Sequence, residues 1–191
     1  MNRIDAHDFK ETMQNYRQAA QKWKIFFYPT DTIYWIWWVV SPESVWIIDE
    51  IKQRDPGKHY SIIAPSFKRI TKYFKVDKNT LEAQWTERQT THGGITVLME
   101  LKLWYDFNLV SHTNVIGVRI IDHWFQEFVE FIWQPFITTS MNTSGNPPAQ
   151  KVDDIHEDHH EVIHLAIDEG KITGTPSVII KYETGEVVAR G

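Results

Sequence analysis

Residues 138–148 read TTSMNTSGNPP, and they follow the short apolar run Pro135-Phe136-Ile137. Hydroxyl and amide side chains crowd into the first seven of these positions, and a glycine and two prolines then interrupt the chain. Such a loop at a strand end offers many hydrogen-bond donors and acceptors without net charge, which suits a polar, partly anionic small molecule. The same composition is also typical of a Ser/Thr-rich surface turn, and this stretch alone leaves both interpretations open.

The composition limits the class of protein. The chain has 191 residues with 42% hydrophobic content, which predicts a single domain over residues 1–191 with a substantial core. A net charge of −5 argues against a surface that coats nucleic acid, and the absence of cysteine excludes disulfides, thiolate metal sites and a cysteine nucleophile. The longest strongly apolar run, residues 33–40, is too short to cross a membrane, and the N-terminus lacks an apolar signal region. We therefore expect a soluble, cytoplasmic protein with no membrane partner.

Hydrophobic periodicity outside the polar loop alternates between helical and extended patterns. Helices are predicted over residues 6–22, 42–54, 66–75, 78–87 and 123–133. Strands are predicted over residues 24–28, 33–40, 60–64, 95–103, 114–121, 136–139, 162–167, 177–182 and 186–190, with a hairpin turn at 183–186. This alternation with a terminal hairpin predicts an α/β fold with a mixed sheet.

A first candidate site is basic and lies where the predicted helix 42–54 ends. Lys52 and Arg54 are followed closely by Lys58, and closely spaced cations suit a di- or triphosphate. The alternative is a solvated helix terminus, where cations complement the helix dipole.

Three further candidates lie at the ends of predicted strands or within one. Residues 29–32, read as Pro-Thr-Asp-Thr, form a turn of the kind that lines ligand crevices in α/β sheets, and a plain Asx-type turn is the alternative. Arg119 lies inside an apolar strand and needs either an anionic partner or an exposed face, and a structural salt bridge is the usual form of the former. Residues 174–177 place hydroxyls where a strand starts, as an ordinary turn also would.

Residues 160–164 match the H-E-x-x-H pattern of zinc hydrolases. The pattern binds zinc on a helix, where His160 and His164 share a face. The segment is rich in β-branched residues and is predicted to be a strand, in which the two histidines lie about 13 Å apart, too far for one metal ion. We therefore predict that this match is coincidental, and no metal ligand is assigned.

In their order along the chain, these pieces resemble the YrdC-like threonylcarbamoyl-AMP synthases (L-threonylcarbamoyladenylate synthases). The most specific matches are Pro29-Thr30-Asp31-Thr32-Ile33-Tyr34 and Thr139-Ser140-Met141-Asn142-Thr143-Ser144-Gly145. The other matching pieces are residues 52–54, 93–96, 117–120, 174–177 and 190–191. Together they cover nearly the whole chain from residue 28 onward.

The resemblance implies a YrdC-like twisted open mixed sheet with helices packed on it and a large central cleft. It implies a nucleotidyltransferase that forms threonylcarbamoyl-AMP and pyrophosphate from L-threonine, bicarbonate and ATP with magnesium, for tRNA modification with downstream tRNA-modification proteins. By position, the implied catalytic residues are Lys52 and Arg54, and the implied ATP-binding residues are Lys52, Arg54, Asn142, Ser144 and Arg190. The implied threonine-binding residues are Thr32, Arg119, Ser140 and Ser177.

The chain departs from the family pattern beside the first motif. The family has a glycine after the tyrosine, where this chain has Trp35. At the next positions where the family has small residues, this chain has Trp37 and Trp38. Indoles at these positions are expected to alter the lining of the pocket. The alternative function is therefore a catalytically impaired member of the family that binds nucleotide, tRNA or double-stranded RNA.

Overall fold

Ten strands form one mixed sheet in the computed structural model, which describes residues 1–22, 24–39, 42–53, 60–102, 113–133, 136–142 and 146–189. The strands are β1 (Asn2–Asp5), β2 (Ile25–Tyr28), β3 (Trp35–Trp38), β4 (Ser61–Ile63), β5 (Ile95–Glu100), β6 (Val115–Arg119), β7 (Phe136–Ser140), β8 (Ile163–Asp168), β9 (Val178–Lys181) and β10 (Val187–Val188). Their order across the sheet is β1-β8-β2-β3-β7-β4-β6-β5-β9-β10.

The sheet contains both parallel and antiparallel pairs. The β1–β8, β8–β2, β4–β6 and β5–β9 pairs are parallel, and the remaining neighbours are antiparallel. The predicted mixed sheet is therefore confirmed. The central antiparallel trio β2–β3–β7 brings the ends of two sequence motifs, residues 28–34 and 138–142, next to each other.

Six α-helices lie within the described ranges, together with short 3-10 turns at 13–16, 152–154 and 157–159. The helices are α1 (Ala6–Thr12), α2 (Arg17–Gln21), α3 (Pro42–Lys52), α4 (Phe67–Tyr73), α5 (Lys78–His92) and α6 (Phe125–Ile132). Helix α5 begins at a cap in which Asp77 accepts from the Thr80 amide, and it ends at Gly93, whose φ of 72° favours glycine. Among the described residues, no helix is both long enough and apolar enough to cross a bilayer.

Two features differ from the sequence prediction at the N-terminus. The predicted helix over 6–22 is divided, because a 3-10 turn at Met13–Tyr16 separates α1 from α2. Strand β1 was not predicted, because its residues carry no apolar alternation and it forms by pairing in parallel with β8. Tertiary pairing thus decides this segment, and local pattern does not.

Alternation along β3 divides the tryptophans between the two faces of the sheet. Trp35 and Trp37 share one face, and Trp38 points to the other. Trp37 packs into an aromatic cluster, with ring centroids 4.0 Å from Phe136 and 5.4 Å from Phe128 of α6. Trp38 makes an edge contact with Tyr60 at 5.7 Å. Trp37 and Trp38 are therefore core residues, which corrects the expectation that all three indoles line a pocket.

The H-E-x-x-H match does not lie on a helix. His160 lies in a turn after the 3-10 turn Glu157–His159, and His164 lies on strand β8, as the β-branched composition predicted. The predicted hairpin at 183–186 also forms: β9 and β10 pair antiparallel, and Gly185 adopts a φ of 72° in the turn between them.

The aromatic cluster under α6 should dominate stability. Phe128 is fully buried against Phe9, Phe26 and Trp37, so Phe128→Ala should lower the free energy of unfolding by about 3–5 kcal/mol. The matched control is Trp46→Ala on α3, a residue that is 61% exposed and should change stability by no more than about 0.5 kcal/mol. Urea unfolding of the two variants measures both effects, and equal losses would contradict this assignment of the core.

Candidate functional site

A buried guanidinium lies at the carboxyl end of β6. Arg119 is only 1% exposed, and its Nη2 donates to Asp31 Oδ1 at 2.7 Å while its Nη1 donates to Thr32 Oγ1 at 3.2 Å. Arg119 Nε has no partner among the described residues. Burial lowers the pKa of Arg119, and the neighbouring Asp31 carboxylate opposes that shift. The site thus combines a charged pair with one unused donor, which suits a ligand that carries a carboxylate.

The turn that carries Asp31 and Thr32 is held by the hydroxyl of Thr30. Thr30 Oγ1 accepts from the amides of Thr32 (3.2 Å) and Ile33 (3.3 Å) and donates to the Ile33 carbonyl at 2.7 Å. Thr30 Oγ1 also lies 3.1 Å from Thr32 Oγ1. Threonine hydroxyls commonly make such bonds in tight turns. Here the bonds orient the side chains of Asp31 and Thr32 toward Arg119.

Two glycines allow other segments to approach this turn. A Cβ on Gly174 would lie 2.1 Å from the Thr32 carbonyl oxygen, and a Cβ on Gly94 would lie 2.3 Å from Thr32 Cγ2 and 3.3 Å from Arg119 Nη2. Neither position has room for a side chain. The residues before β5 and before β9 therefore close around the turn because of these two glycines.

A buried hydroxyl pair adjoins this cluster. Ser177 Oγ lies 2.7 Å from Thr96 Oγ1, and both residues are buried where β5 and β9 run in parallel. Val97 pairs with Val118 across β5 and β6, which places Thr96 beside Arg119. The pair adds neutral hydrogen-bonding capacity next to the guanidinium.

A second cluster surrounds Lys52, the last residue of α3. Its Nζ donates to the Ser140 carbonyl at 2.8 Å, to Ser140 Oγ at 3.3 Å and to Asn142 Oδ1 at 2.5 Å. Ser140 Oγ also donates to Asn142 Oδ1 at 2.7 Å, and Asn142 Nδ2 donates to the Asn146 carbonyl at 2.6 Å. A buried ammonium is thus tied to the end of β7, beside polar groups that a phosphate oxygen could also engage.

A cavity of about 460 Å³ opens beside the second cluster. Its wall contains Met141, Asn142, Asn146, Pro147, Pro148, Ala149, Gln150, Asp154, His156 and His159. Its wall combines apolar side chains with several polar ones, as small-molecule pockets commonly do. Asn142 therefore belongs both to the Lys52 cluster and to the cavity wall.

A hydrogen-bonded brace joins the start of α6 to the end of β8 near the site. His123 Nε2 lies 2.8 Å from Glu169 Oε2, and His123 Nδ1 accepts from the Phe125 amide at 3.3 Å. Trp124 Nε1 donates to Glu169 Oε1 at 2.7 Å. Burial lowers the pKa of His123, so the neutral ring, with Nε2–H donating to Glu169, satisfies both contacts.

Tyr34 holds the residues that follow β8, where Glu169 also belongs to the His123 brace. Its hydroxyl accepts from the Glu169 amide at 2.9 Å and donates to the Gly170 carbonyl at 2.8 Å, and burial raises its pKa to about 12. The tyrosine of the first motif is therefore an anchor for the loop 168–170, and it remains neutral at physiological pH.

The structure brings the predicted site residues into two groups. Thr32 and Arg119 are bonded to each other, and Lys52, Ser140 and Asn142 form the second network. Ser177 lies beside the first group. Arg54, Ser144 and Arg190, together with Lys58, lie outside the described residues.

Sequence reasoning did not assign roles to Asp31 or Thr96. Asp31 is the ion-pair partner of Arg119, and Thr96 is the hydroxyl partner of Ser177. Both residues lie within motifs that match the family, so the sequence already marked their positions as candidates. Their partners became visible only when β5, β6, β9 and the turn after β2 were brought together.

A family model and curated relatives match most of this chain. The model for the Sua5/YciO/YrdC family, described as "Telomere recombination", matches residues 18–191. A threonylcarbamoyl-AMP synthase of Vibrio campbellii is 26% identical over 186 residues, which are 94% of this chain and 100% of the relative. A threonylcarbamoyl-AMP synthase of Escherichia coli K12 is 23% identical over 176 residues, covering 88% of this chain and 90% of the relative.

Solved structures share the fold. Escherichia coli YciO superposes with a TM-score of 0.77 at 17% identity, over 94% of this chain and 88% of that one. P. abyssi Sua5 complexed with L-threonine superposes with a TM-score of 0.73 at 20% identity, over 94% of this chain and 53% of that one. These likenesses confirm the predicted α/β architecture with a twisted open sheet, and at these identities they show the fold alone.

The buried ion pair gives a testable difference in stability. Asp31→Ala would leave the Arg119 guanidinium buried without its anion, so the free energy of unfolding should fall by about 3–5 kcal/mol. The control is Asp153→Ala, which removes an exposed partner of Arg3 and should cost at most about 1 kcal/mol. Denaturant unfolding measures both variants, and a loss for Asp31→Ala as small as that of the control would contradict the pairing.

The His123 brace predicts a pH dependence of stability. The unfolded chain binds the His123 proton more strongly than the folded chain. The contribution of His123 to the free energy of unfolding is therefore fully present above the ordinary histidine pKa of about 6.5, and it is lost as the pH falls below that value. Glu169, Asp31 and Lys10 are the charged groups that act on His123, and Glu169 moderates the fall. His123→Gln should therefore lose less stability than the unaltered chain between about pH 7.5 and about pH 5.5.

The free energy of unfolding at the two pH values is the measurement. The pKa values of His159 and His164 are also lowered by burial, so part of the dependence should persist in the variant. An identical loss in both proteins would show that His123 does not contribute.

Proposed function

Because the chain belongs to the Sua5/YciO/YrdC family, we propose that it is a threonylcarbamoyl-AMP synthase that uses L-threonine, bicarbonate and ATP. The relatives in Vibrio campbellii and Escherichia coli that carry this activity in their names match almost end to end. The observation that carries the proposal is the position of Ser140, which lies between the Lys52 cluster and the Arg119 cluster. It bonds to Lys52 and Asn142, and it pairs across the sheet with Trp35, whose ring lies under the Arg119 guanidinium.

The proposed reaction has two steps. The threonine ammonium group first loses a proton to solvent, the free amine nitrogen then forms a bond to the carbon of bicarbonate, and loss of water leaves an N-carboxylate. An oxygen of that carboxylate then forms a bond to the α-phosphorus of ATP as the bond from that phosphorus to the bridging oxygen of the β-phosphate breaks, so pyrophosphate leaves. Neither step needs a covalent nucleophile of the protein, and catalysis depends on positioning and on neutralising charge.

The Arg119 cluster is the proposed amino-acid site. The guanidinium, with its unpartnered Nε, would bind the carboxylate, and Asp31 would balance the α-ammonium group. Thr32 and Ser177 supply the neutral hydrogen-bonding groups around that zwitterion. A site with both charges and almost no exposure to solvent is suited to an α-amino acid because each charged end meets its opposite.

The Lys52 cluster is the proposed phosphate site, and the adjoining cavity is the proposed place for the nucleoside. Lys52 would exchange part of its bonding to Asn142 and Ser140 for phosphate oxygens, as a buried ammonium does readily when an anion enters. Arg54, Ser144 and Arg190 keep their proposed ATP-binding roles from the motif match. Asn142, in the cavity wall, links the phosphates to the nucleoside.

Magnesium is proposed to enter with the nucleotide. The ion commonly keeps several waters and is held by substrate phosphates plus one or two carboxylates, and the described residues hold no cluster of three metal-ligating side chains of their own. The single carboxylate of Asp154 in the cavity wall fits that pattern. When bound, magnesium would neutralise charge on the phosphates.

The chain's product would pass to a tRNA-modifying partner, as the resemblance to threonylcarbamoyl-AMP synthases implies.

The alternative of an impaired, RNA-binding member was motivated by three tryptophans in the pocket. Two of them, Trp37 and Trp38, lie in the core, and no observation in the described part of the chain favours that alternative.

Pyrophosphate release tests the proposal. It should require ATP, bicarbonate and L-threonine together, and omission of any one should stop it. Release that proceeds without an amino acid, or no release under any condition, would contradict the proposed reaction.

Lys52→Ala should weaken ATP binding by about 1.5–3 kcal/mol, roughly 10- to 150-fold in Kd, because a charge-assisted contact to phosphate is lost. The control is Lys68→Ala, which removes a cation of the exposed surface of α4 and should leave the affinity unchanged. Isothermal titration with ATP and magnesium measures both, with a thermal melt to show that each variant is folded. Unchanged affinity in a folded Lys52→Ala protein would place the phosphates elsewhere.

A further inference from the structure

The cavity beside the Lys52 cluster has an apolar part and a polar part. Its apolar side chains are Met141, Pro147, Pro148 and Ala149. The polar side chains that follow them along the chain are Gln150, Asp154, His156 and His159. The Ala149 amide donates to the Met141 carbonyl at 2.8 Å, so the apolar residues adjoin one another. The cavity thus offers one surface for a flat apolar group and another for a hydrogen-bonding group.

The polar part holds a carboxylate in a fixed position. Asp154 Oδ2 accepts from the backbone amide of Gln150 at 2.8 Å and from that of Lys151 at 3.2 Å. Val152 and Ile155, before and after Asp154 in the chain, are both buried in the core. The turn is therefore anchored on both sides of the carboxylate, and the hydrogen bonds to Oδ2 fix its orientation.

One oxygen of this carboxylate is unused. Both bonds of the turn go to Oδ2, and Asp154 Oδ1 has no hydrogen-bond partner among the described residues. Asp154 is also the only carboxylate in the described wall of the cavity, and an ionised carboxylate can only accept hydrogen bonds. Capping of the turn therefore accounts for Oδ2, and Oδ1 is left to accept from a ligand that carries a donor.

An adenine nucleotide carries two kinds of donor on its nucleoside. One is the amino group at the edge of the base, and the other is the pair of ribose hydroxyls. The flat faces of the base suit the apolar residues, and Asp154 is bonded to Gln150, which directly follows Ala149 at the edge of that surface. A base that lies on the apolar residues therefore brings its sugar to the carboxylate. Acidic side chains bind a ribose hydroxyl in the same way in dinucleotide-binding folds.

We propose that Asp154 Oδ1 accepts a hydrogen bond from a ribose hydroxyl, so that the site selects ATP over its deoxy forms. This inference rests on the proposed synthase function and adds a specificity-determining residue to its nucleotide site. The hydrogen bond is charge-assisted, so its loss should weaken nucleotide binding by about 10-fold or more.

Isothermal titration in the presence of magnesium compares ATP with 2′-deoxy-ATP and with 3′-deoxy-ATP. In the unaltered chain, at least one deoxy nucleotide should have a Kd about 10-fold or more above that of ATP. In Asp154→Ala this ratio should fall to about 1, because the acceptor is absent. Asp154→Asn keeps an oxygen for the two amides of the turn and should also lower the ratio, and it decides the question if Asp154→Ala does not fold.

Asp153→Ala is the matched control. This neighbouring carboxylate pairs with Arg3 and does not line the cavity, so the variant should keep the ratio of the unaltered chain. Equal affinities of the unaltered chain for ATP and both deoxy nucleotides, or an unchanged ratio in a folded Asp154 variant, would overturn the assignment.

Two other roles of Asp154 give different results. If Asp154 bound the magnesium ion, its substitution would weaken ATP and the deoxy nucleotides equally. If it bound the amino group of the base, the unaltered chain would bind inosine triphosphate, which lacks that group, more weakly than ATP and would not distinguish the deoxy nucleotides. Either result contradicts the ribose assignment. Failure of the proposed function is a separate result, because then the unaltered chain binds none of the nucleotides.

Discussion

The burial of the Arg119 guanidinium is the constraint on which the site depends. A buried charge is tolerated only when it is paired and hydrogen-bonded, and here the pairing comes from a turn that is remote in sequence. Asp31 and Thr32 supply it, and the turn can reach Arg119 because Gly94 and Gly174 leave room around it. Substitution at any of these positions would act through the same ion pair, so the turn after β2 and the end of β6 are energetically one unit.

The end of β7 joins that unit to the second cluster. In the order β3-β7-β4-β6, β7 is adjacent to β3 and is separated from β6 by β4. Ser140 therefore lies beside Trp35 while it also bonds to Lys52. Adjacent strand ends hold the two clusters close together at low cost in flexibility. The mixed sheet matters for this reason: antiparallel neighbours bring together the two motifs that the sequence separates by about a hundred residues.

The sequence predicted most of the elements because their signals are local. Short runs of apolar and β-rich residues marked β2, β3, β5 and β8. The cap at Asp77 and the glycine at 93 account for the limits of α5, which ends at His92 and not at the predicted residue 87. Strand β1 and the division of the helix at Met13 were missed, because the first depends on pairing with β8 and the second on a local 3-10 turn without a breaking residue. Alternation along a strand predicts that Trp35, Trp37 and Trp38 cannot all lie on one face, but it does not predict the partner of each indole.

The sequence by itself determined the class of fold, the membership of a family through ordered motifs, and most of the residues that the two clusters contain. Those properties follow from local periodicity and from residue types at fixed spacing, which need no knowledge of long-range contacts. Only the tertiary structure decided that Asp31 pairs with Arg119, that the Trp35 ring lies beside the Arg119 guanidinium, and that Ser140 bonds to Lys52 while it pairs with Trp35. The physical reason is that each of these depends on which strands become neighbours, and strand order is set by the burial of the whole sheet and by no single segment.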